Sequence, residues 1–271
     1  MLFINFSMMI QNFNLHTHTW RCGHAYGKDI EYIESAIKTG FKTLGFSEHI
    51  QYREDNGKYN RINYEDFYTY FDNIFSLRKR YSKQINILCG LEAAYIPEVM
   101  DELLEFVPFC DYILLGQHQG GLRNKKYAVK CDDVDVINYA KDIENALETG
   151  IYSIIAHPDF FMKSRTYWSK QCEDASITIC RAAKKFDIPL ELNIKGSIEI
   201  SRRINKTDCV SYPYRKFWEI ASAFDNKVLY GWDAHSPEGL QLSTKYVDEI
   251  IEGLNLNFIH NVELAINRQH S

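Results

Sequence analysis

Seven of the nine histidines in this 271-residue chain stand at the ends of short apolar runs, in company with two carboxylates. The nine residues selected by this pattern are His16, His18, His24, His49, Glu92, His118, His157, Asp233 and His235. Imidazole nitrogens combined with carboxylate oxygens suit zinc, manganese or iron better than calcium or magnesium. Nine donors exceed what one four- to six-coordinate ion needs. The pattern therefore predicts two or three divalent metal ions, with a carboxylate bridging a pair.

Each of these residues, taken alone, has a simpler interpretation. A single His-x-His pair is weak evidence for a metal, and His118 or His157 alone would commonly be a hydrogen-bonded histidine of the core or surface. Glu92 would serve as a paired structural carboxylate, and Asp233 would lie in a turn that caps a helix. The joint pattern favours the metal site, because only two histidines, both near the C-terminus, fall outside it.

The fold that must position these donors alternates short β-rich runs with segments of helical periodicity. The predicted strands are Met9–His16, Lys42–Ser47, Ile85–Glu92, Tyr112–Gly116, Ser153–Ala156, Pro189–Asn193 and Val228–Gly231. The predicted helices are Asp29–Thr39, Tyr64–Ser82, Pro97–Phe106, Asp133–Thr149, Cys172–Phe186, Pro213–Phe224 and Pro237–Glu252. Seven strand–helix units predict a parallel α/β sheet, either doubly wound or closed into a barrel.

The donors follow the carboxyl ends of the predicted strands, where the loops of such folds build their sites. Side chains two residues apart in an extended chain point the same way, so His16 and His18 would aim at one point, as would Asp233 and His235. If the sheet closes, the first and seventh strands become neighbours and the two pairs converge at the mouth of a barrel. Long loops at about 119–132, 158–170 and 194–211 would complete this end of the molecule.

The composition excludes several classes of protein. With 45% apolar and 25% charged residues the chain is typical of a soluble globular protein, and a net charge of -5 argues against a strongly basic nucleic-acid binder. No apolar stretch approaches the roughly 20 residues of a transmembrane helix. The seven cysteines form no Cys-x-x-Cys, which indicates reduced thiols in the cytoplasm. We expect one domain over residues 1–271, with no membrane or nucleic-acid partner; the oligomeric state is left open.

The motifs resemble those of the PHP (polymerase and histidinol phosphatase) superfamily, and more narrowly its bacterial histidinol-phosphate phosphatases. The segments that carry the resemblance are His16-Thr17-His18-Thr19 with His24, Gly45-Phe46-Ser47-Glu48-His49, Gly90-Leu91-Glu92, His118, Ala156-His157-Pro158-Asp159, Glu191-Leu192-Asn193, Tyr212-Pro213 and Asp233-Ala234-His235-Ser236-Pro237. They extend from residue 14 to about residue 240, which is nearly the whole chain.

The resemblance implies a distorted (β/α)7 barrel of the TIM type, with parallel strands and a metal site at its C-terminal rim. It also implies a trinuclear centre with an assigned set of ligands for each ion. One ion would take His16, His18, Glu92 and Asp233. A second would share Glu92 and add His118 and His157. The third would take His24, His49 and His235.

The implied activity is metal-dependent hydrolysis of L-histidinol phosphate, in histidine biosynthesis, through a hydroxide that bridges two metals. Asp233, His49 and Glu92 would be catalytic, with Asp233 or a nearby histidine protonating the leaving alkoxide and Glu48 orienting a ligand. Relatives with the same motifs cleave other phosphoesters, so a nucleotide, phosphotyrosine or sugar phosphate is the alternative substrate. A metal-binding structural domain is the non-enzyme alternative, and the complete ligand set argues against it.

A phosphate monoester dianion would favour an arginine clamp. The candidates in the long loops are Arg165, Arg202 and Arg203, with Lys195 nearby. The plainer interpretation of each is a solvated surface charge. Cys22 and Cys89 lie close to predicted ligands in the sequence, and we interpret them as small buried residues rather than as ligands.

Overall fold

The computed structural model describes residues 11–53, 62–121, 127–203 and 212–266, and their core is a sheet of eight parallel strands. The strands pair in chain order, so that each contacts only its neighbours in sequence along the ladder. They are β1 (Phe13–Asn14), β2 (Thr43–His49), β3 (Asn86–Ala93), β4 (Tyr112–Leu115), β5 (Ile154–Ile155), β6 (Leu190–Asn193), β7 (Lys227–Gly231) and β8 (Asn257–Phe258). All seven predicted strands are present, and β8 is an addition that the sequence pattern did not reveal.

Helices connect the strands and cover the outer face of the sheet. They are α1 (Asp29–Thr39), α2 (Phe67–Tyr81), α3 (Met100–Phe106), α4 (Asp133–Glu148), α5 (Lys170–Lys185), α6 (Ile194–Arg203), α7 (Arg215–Ala223), α8 (Lys245–Ile251) and α9 (Glu263–Ile266). The predicted helix Pro237–Glu252 is divided, because a 3₁₀ turn over Pro237–Gln241 precedes α8.

The loop predicted over residues 194–211 begins instead with the helix α6. Asn193, the last residue of β6, supplies the reason. Its Oδ1 accepts a hydrogen bond of 2.7 Å from the backbone N–H of Gly196, which satisfies one of the free donors at a helix start. The strand therefore passes directly into a helix, and the residues that follow Asn193 are held close to the end of the sheet.

The regular ladder pairs β1 only with β2, yet β1 and β7 lie side by side as predicted. A parallel bridge between Thr17 and Ala234 joins their extensions at the carboxyl ends. Further down, Gln11 replaces a backbone partner: its Nε2 donates to the Tyr230 carbonyl at 2.7 Å, and its Oε1 accepts from the Tyr230 N–H at 2.9 Å. The sheet therefore curls into a barrel whose last gap is closed by backbone hydrogen bonds at the bridge and by two buried side-chain amides, Gln11 and Asn14, the latter accepting from the Trp232 N–H at 3.0 Å.

Two hydrophobic clusters lie on the two faces of the curled sheet. The larger fills the space between the strands and the helices, as in other parallel sheets with covered faces. The smaller fills the interior and includes Phe13, Tyr112 and, from the last part of the chain, Ile259. The Tyr112 hydroxyl donates to the Leu15 carbonyl at 2.6 Å, which ties β4 to the residues after β1 across the interior.

No helix among the described residues is both long and apolar enough to cross a membrane.

Candidate metal centre

All nine predicted donors lie at the carboxyl ends of the strands or in the loops just beyond them. His16 and His18 follow β1, His49 ends β2, and Glu92 lies near the end of β3. The others follow β4, β5 and β7, except for His24, which stands after a 3₁₀ turn over Trp20–Cys22. Seven of them border a cavity of about 270 Å³, and His16 and His18 lie beneath it against Glu92 and Asp233. The barrel thus brings residues from 16 to 235 to a single place.

Four donor atoms form a first set at this rim. His16 Nε2 lies 3.4 Å from Glu92 Oε2 and 3.6 Å from Asp233 Oδ1. His18 Nε2 lies 3.3 Å and 3.5 Å from the same two oxygens. Tetrahedral ligands about 2.1 Å from an ion are themselves about 3.4 Å apart. The separations are therefore those of a four-ligand site.

The second oxygen of Glu92 faces a different set of donors. Glu92 Oε1 lies 2.9 Å from His157 Nε2 and 3.5 Å from His118 Nε2. A Cβ on Gly116 would collide with this carboxylate, so the glycine leaves the space into which Glu92 reaches. Because its two oxygens point to two groups of histidines, Glu92 has the geometry of a bridging ligand.

The third predicted set, His24, His49 and His235, is only partly assembled. The Nε2 atoms of His24 and His235 approach to 3.0 Å. The His49 ring centroid stays 5.3 Å from that of His24 and 6.1 Å from that of His235. Its Nδ1 lies 2.8 Å from Glu92 Oε2, and its ring stacks on His18 with centroids 4.0 Å apart. His49 thus stands nearer to the donors of the first two sets than the resemblance implies.

The donor set suits divalent cations. His16 Nε2 and His18 Nε2 are buried and make no hydrogen bond, although both face carboxylate oxygens. Buried imidazole nitrogens without partners are unusual in a folded protein and call for an explanation. A metal ion ligated by these nitrogens and by the carboxylates supplies one, since it satisfies both kinds of donor at once.

Neighbouring positive groups set the protonation of the two carboxylates of the site, Glu92 and Asp233. Burial on its own would raise the pKa of Glu92, but His49, His118 and His16 hold it well below its ordinary range. Burial would likewise raise the pKa of Asp233. Lys195 and His16 outweigh this effect of burial and keep the pKa of Asp233 well below its usual value. Both carboxylates are therefore ionised at neutral pH, as metal ligands must be.

Glu191 is a residue of the site to which the sequence analysis assigned no role. Its Oε2 lies 2.7 Å from His16 Nδ1, and its other oxygen accepts a hydrogen bond from Asn193 Nδ2 at 2.9 Å. A carboxylate behind a ligating histidine fixes the ring and its tautomer. The signal was present in the sequence, because β6 ends in Glu191-Leu192-Asn193 just as other strands end in donors.

Of the predicted arginine candidates, Arg165 is described in full and points away from the cavity. The Arg165 guanidinium donates to the Cys131 carbonyl at 2.8 Å, to Asp133 Oδ1 at 2.6 Å and to Ser169 Oγ at 3.1 Å, and Arg165 is not among the cavity-lining residues. Arg202 and Arg203 lie in the last turn of α6, and their side chains fall outside the described residues.

Two lysines line the cavity instead. Lys195 Nζ lies 3.5 Å from Asp233 Oδ2 and 3.0 Å from His235 Nδ1. Lys163 Nζ stands 5.3 Å from the centroid of the Phe160 ring, on a wall that Phe160 shares with Tyr212. The cavity is therefore cationic beside Asp233 and aromatic beside His118 and His157.

Residues 18–24 form a strap that contains Cys22 and that Glu48, on β2, contacts from the sheet. Glu48 Oε1 accepts a hydrogen bond of 2.9 Å from the Thr19 N–H, so it anchors this strap rather than contacting a predicted ligand ring. The Cys22 sulfur lies 3.9 Å from His24 Nε2. Burial raises the pKa of the Cys22 thiol to about 12.

A parallel α/β barrel with histidines and carboxylates gathered at the carboxyl ends of its strands defines the class of this protein. Residues 14–195 match the PHP domain, and the chain belongs to this family. The match ends before Asp233 and His235, which the structure nevertheless brings to the same rim.

Relatives in sequence have the names of histidinol phosphatases. A Deinococcus radiodurans protein named "Probable histidinol-phosphatase" is 25% identical over 154 residues, which are 53% of this chain and 59% of that protein. The "Histidinol-phosphatase" of Bacillus subtilis is 31% identical over 113 residues, 38% of this chain and 42% of that protein. The chain thus matches less than two thirds of the length of these curated relatives.

The fold also matches a solved structure over most of its length. The crystal structure of histidinol phosphate phosphatase from Lactococcus lactis, complexed with zinc, L-histidinol and phosphate, superposes with a TM-score of 0.68. The match covers 91% of this chain and 95% of that chain, at 14% sequence identity. The two proteins share the barrel architecture.

Proposed function

We propose that this protein is a metal-dependent phosphomonoesterase that hydrolyses L-histidinol phosphate to L-histidinol and phosphate. The observation that carries the proposal is the Glu92 carboxylate, whose two oxygens face two groups of histidines beside a cationic cavity. Membership of the PHP family and the names of the sequence relatives support the choice of reaction. The six cysteines in the described part of the chain form no disulfide with one another, which supports a cytoplasmic location.

The residues proposed to hold the ions are those brought together at the rim. His16, His18 and Asp233 would bind one ion on one side of Glu92, and His118 and His157 would bind a second on the other. His24 and His235 would bind a third. Divalent ions bound there would act as Lewis acids toward the phosphate and lower the pKa of a water molecule toward neutrality.

The protein's own task is to position the ester and to balance its charge. Lys195 is the residue best placed to bind a phosphate oxygen, because its ammonium group lines the cavity next to Asp233. Lys163 would bind from the wall formed by Phe160 and Tyr212, and we propose these lysines ahead of Arg165, which is engaged elsewhere. Arg202 and Arg203 stay as further candidates, because α6 begins beside the site.

The aromatic wall of the cavity suits the leaving group. Phe160 and Tyr212 pack edge to face with centroids 5.2 Å apart, and Gln119 adds an amide to the same lining. Flat rings of this kind would pack against the imidazole of histidinol, and the amide would offer it a hydrogen bond. This pairing favours histidinol phosphate over a sugar phosphate, whose hydroxyls need more polar partners.

Asp233 is proposed as a ligand and a proton acceptor. Its pKa is held well below the ordinary range, because Lys195 and His16 outweigh the effect of burial, so it carries no proton to donate at neutral pH. Lys195 Nζ lies 3.5 Å from Asp233 Oδ2 and would stabilise the leaving oxygen. His49, 2.8 Å from Glu92, would position the bridging carboxylate.

The experiment that tests this function compares substrates on purified protein loaded with zinc or manganese. Phosphate release from L-histidinol phosphate is expected to exceed release from p-nitrophenyl phosphate by at least about 100-fold in kcat/KM, a margin that favourable contacts with the leaving group alone provide. Comparable rates would refute the substrate assignment. A panel of a nucleotide, phosphotyrosine and a sugar phosphate would then identify the alternative.

A further inference from the structure

The aromatic wall of the cavity is built from two segments that are distant in sequence. Phe160 begins a 3₁₀ turn over Phe160–Ser164, after β5, and Tyr212 lies shortly before α7. Their ring centroids are 5.2 Å apart. Both rings also approach the His157 imidazole, with centroid distances of 4.9 Å for Phe160 and 5.9 Å for Tyr212. The shape of the wall therefore depends on the contacts that hold these two segments together.

Asp159 makes one of these contacts. It directly precedes Phe160 in the chain and is buried, with 1% of its surface exposed. Its Oδ2 accepts a hydrogen bond of 2.6 Å from the backbone N–H of Tyr214. Pro213 stands between Tyr214 and Tyr212, and its ring restricts the chain there. The carboxylate of the first segment therefore fixes the direction in which the second segment enters the wall.

The second oxygen of this carboxylate makes the position a costly one. Asp159 Oδ1 is buried and has no hydrogen-bond partner among the described residues. A buried polar group without its full set of hydrogen bonds lowers stability. Departures of this kind from favourable packing are typical of residues that serve a functional site. A role in positioning the Tyr212 segment gives the buried carboxylate such a function.

Gly196 makes room for Tyr212 at the start of α6. A Cβ on Gly196 would lie 2.6 Å from a ring carbon of Tyr212 and 2.8 Å from its carbonyl oxygen. Both distances are shorter than a van der Waals contact, so any side chain at this position would displace the tyrosine. The N–H of Gly196 donates to Asn193 Oδ1 at 2.7 Å, which holds this part of α6 at the end of the sheet. Tyr212 is thus held by contacts with both α6 and the Phe160 segment.

We propose that Asp159 and Gly196 position Tyr212 and thereby determine which leaving group the enzyme accepts. The inference rests on the proposed function and specifies how its leaving group is selected. Neither residue lines the cavity: Asp159 acts through the backbone of Tyr214, and Gly196 acts through the space that it leaves. Held in this way, the Tyr212 ring stands beside Phe160, where a planar imidazole would pack against both rings.

The test compares two substrates on the zinc-loaded, full-length protein. L-Histidinol phosphate and O-phosphoethanolamine share an aminoalkyl phosphate and differ in the imidazolylmethyl group. The ratio of their kcat/KM values therefore measures the contribution of the imidazole, and an effect on the metals or on the phosphate contact changes both values alike. We expect Asp159→Ala to lower this ratio by at least about tenfold, because Tyr212 is no longer held in place.

Three further variants define the role. Asp159→Asn should recover most of the ratio, since its amide oxygen still accepts from the Tyr214 N–H. In a Tyr212→Ala background, Asp159→Ala should cause no further fall, because the two residues act through one ring. Gly196→Ala should lower the ratio without removing a hydrogen bond. Asp72→Ala, at an exposed position of α2, is the control and should keep the wild-type ratio.

The outcomes separate this inference from the proposed function. A wild-type ratio near one would refute histidinol phosphate as the substrate, and the inference with it. A high wild-type ratio that Asp159→Ala leaves unchanged would overturn the inference alone, whether or not both kcat/KM values fall together. A further fall in the Tyr212→Ala background would also overturn it. If Asp159→Ala does not fold, Gly196→Ala decides, and an unchanged ratio in that variant would contradict the positioning of Tyr212.

Discussion

Glu191 shows how much of this site depends on residues that touch no predicted substrate. Its carboxylate lies 2.7 Å from His16 Nδ1, and it is buried at 1% exposure. A Cβ on Gly231 would collide with it, so a residue on the neighbouring strand leaves room for this one contact. The carboxylate fixes which nitrogen of His16 faces Glu92 and Asp233.

The Glu191→Gln variant tests this positioning role. The amide keeps the size of the side chain and removes its charge, so His16 loses the partner that orients its ring. We expect metal affinity at the first donor set and kcat/KM to fall by about 10–100-fold. Equilibrium dialysis and steady-state kinetics measure the two quantities. The exposed Glu249→Gln serves as control, and a Glu191→Gln enzyme indistinguishable from it would contradict the assigned role.

Lys195 and Arg165 are two candidates for the contact with phosphate, and variants of the two residues are expected to behave differently. Lys195→Met removes a charge-assisted hydrogen bond to the ester, so we expect kcat/KM to fall roughly 10–100-fold and inhibition by inorganic phosphate to weaken. Lys245→Met, an exposed lysine of α8, should leave both unchanged. If Lys195→Met also leaves both unchanged, another group binds the phosphate.

Arg165→Met should act on stability instead. Its guanidinium joins the Cys131 carbonyl to Asp133 and Ser169, near the starts of α4 and α5. Loss of these bonds is expected to lower the free energy of unfolding by about 1–3 kcal/mol, with kcat/KM nearly unchanged. Urea denaturation and kinetics on the same preparation measure both. A large loss of kcat/KM in a stable variant would instead support Arg165 as a residue that binds the phosphate.

At the scale of elements, the closing edge between β1 and β7 is the feature on which the site depends most. Donors on both sides of this edge, such as His16 and Asp233, share the first set. Two buried amides, Gln11 and Asn14, and one backbone bridge hold the two strands together. The register of this edge therefore fixes the distances in the metal centre.

Gln11→Leu is expected to destabilise the barrel. The substitution leaves the N–H and carbonyl of Tyr230 without their buried partner, which costs about 1–3 kcal/mol for the unsatisfied groups. The free energy of unfolding in urea measures the loss, and Gln84→Leu at an exposed position is the matched control. Equal stability of the two variants would show that Gln11 does not hold the edge.

The elements were predictable where periodicity is strong and unpredictable where a single contact decides. The seven strands and the helix Asp29–Thr39 follow from local pattern, and so do the donors at strand ends. The helix α6 depends on the Asn193 cap, and β8 is a two-residue strand with too little pattern to recognise. The orientation of the Arg165 side chain depends on its contact with Asp133, which lies 32 residues earlier in the chain, and no local pattern predicts this contact.

At the scale of the whole molecule, the metal centre ties together the rim of the barrel. Its donors come from loops and strands that span residues 16–235, so ions bound there would link segments that are distant in sequence. Binding to the folded state alone stabilises it. The same arrangement explains why a net charge of -5 says little about the ligand, since bound dications set the local field.

Removal of the ions is therefore expected to lower the melting temperature. When the free metal concentration is about 1,000 times the dissociation constant, binding adds about 4 kcal/mol to the free energy of unfolding. This corresponds to a rise in melting temperature of roughly 10 °C for a chain of this size. Differential scanning fluorimetry with and without a chelator measures the shift, and added zinc should restore it. Glu92→Gln should show a smaller shift. An equal melting temperature with and without chelator, despite bound metal, would show that the ions do not tie the rim together.

The most direct test of the account is anomalous X-ray diffraction from zinc-loaded crystals soaked in phosphate. We predict separate anomalous peaks next to the two oxygens of Glu92, a third between His24 and His235, and a phosphate within hydrogen-bond distance of Lys195. Zinc present in the crystals without a peak at either oxygen of Glu92 would contradict the proposed centre and the phosphatase mechanism built on it.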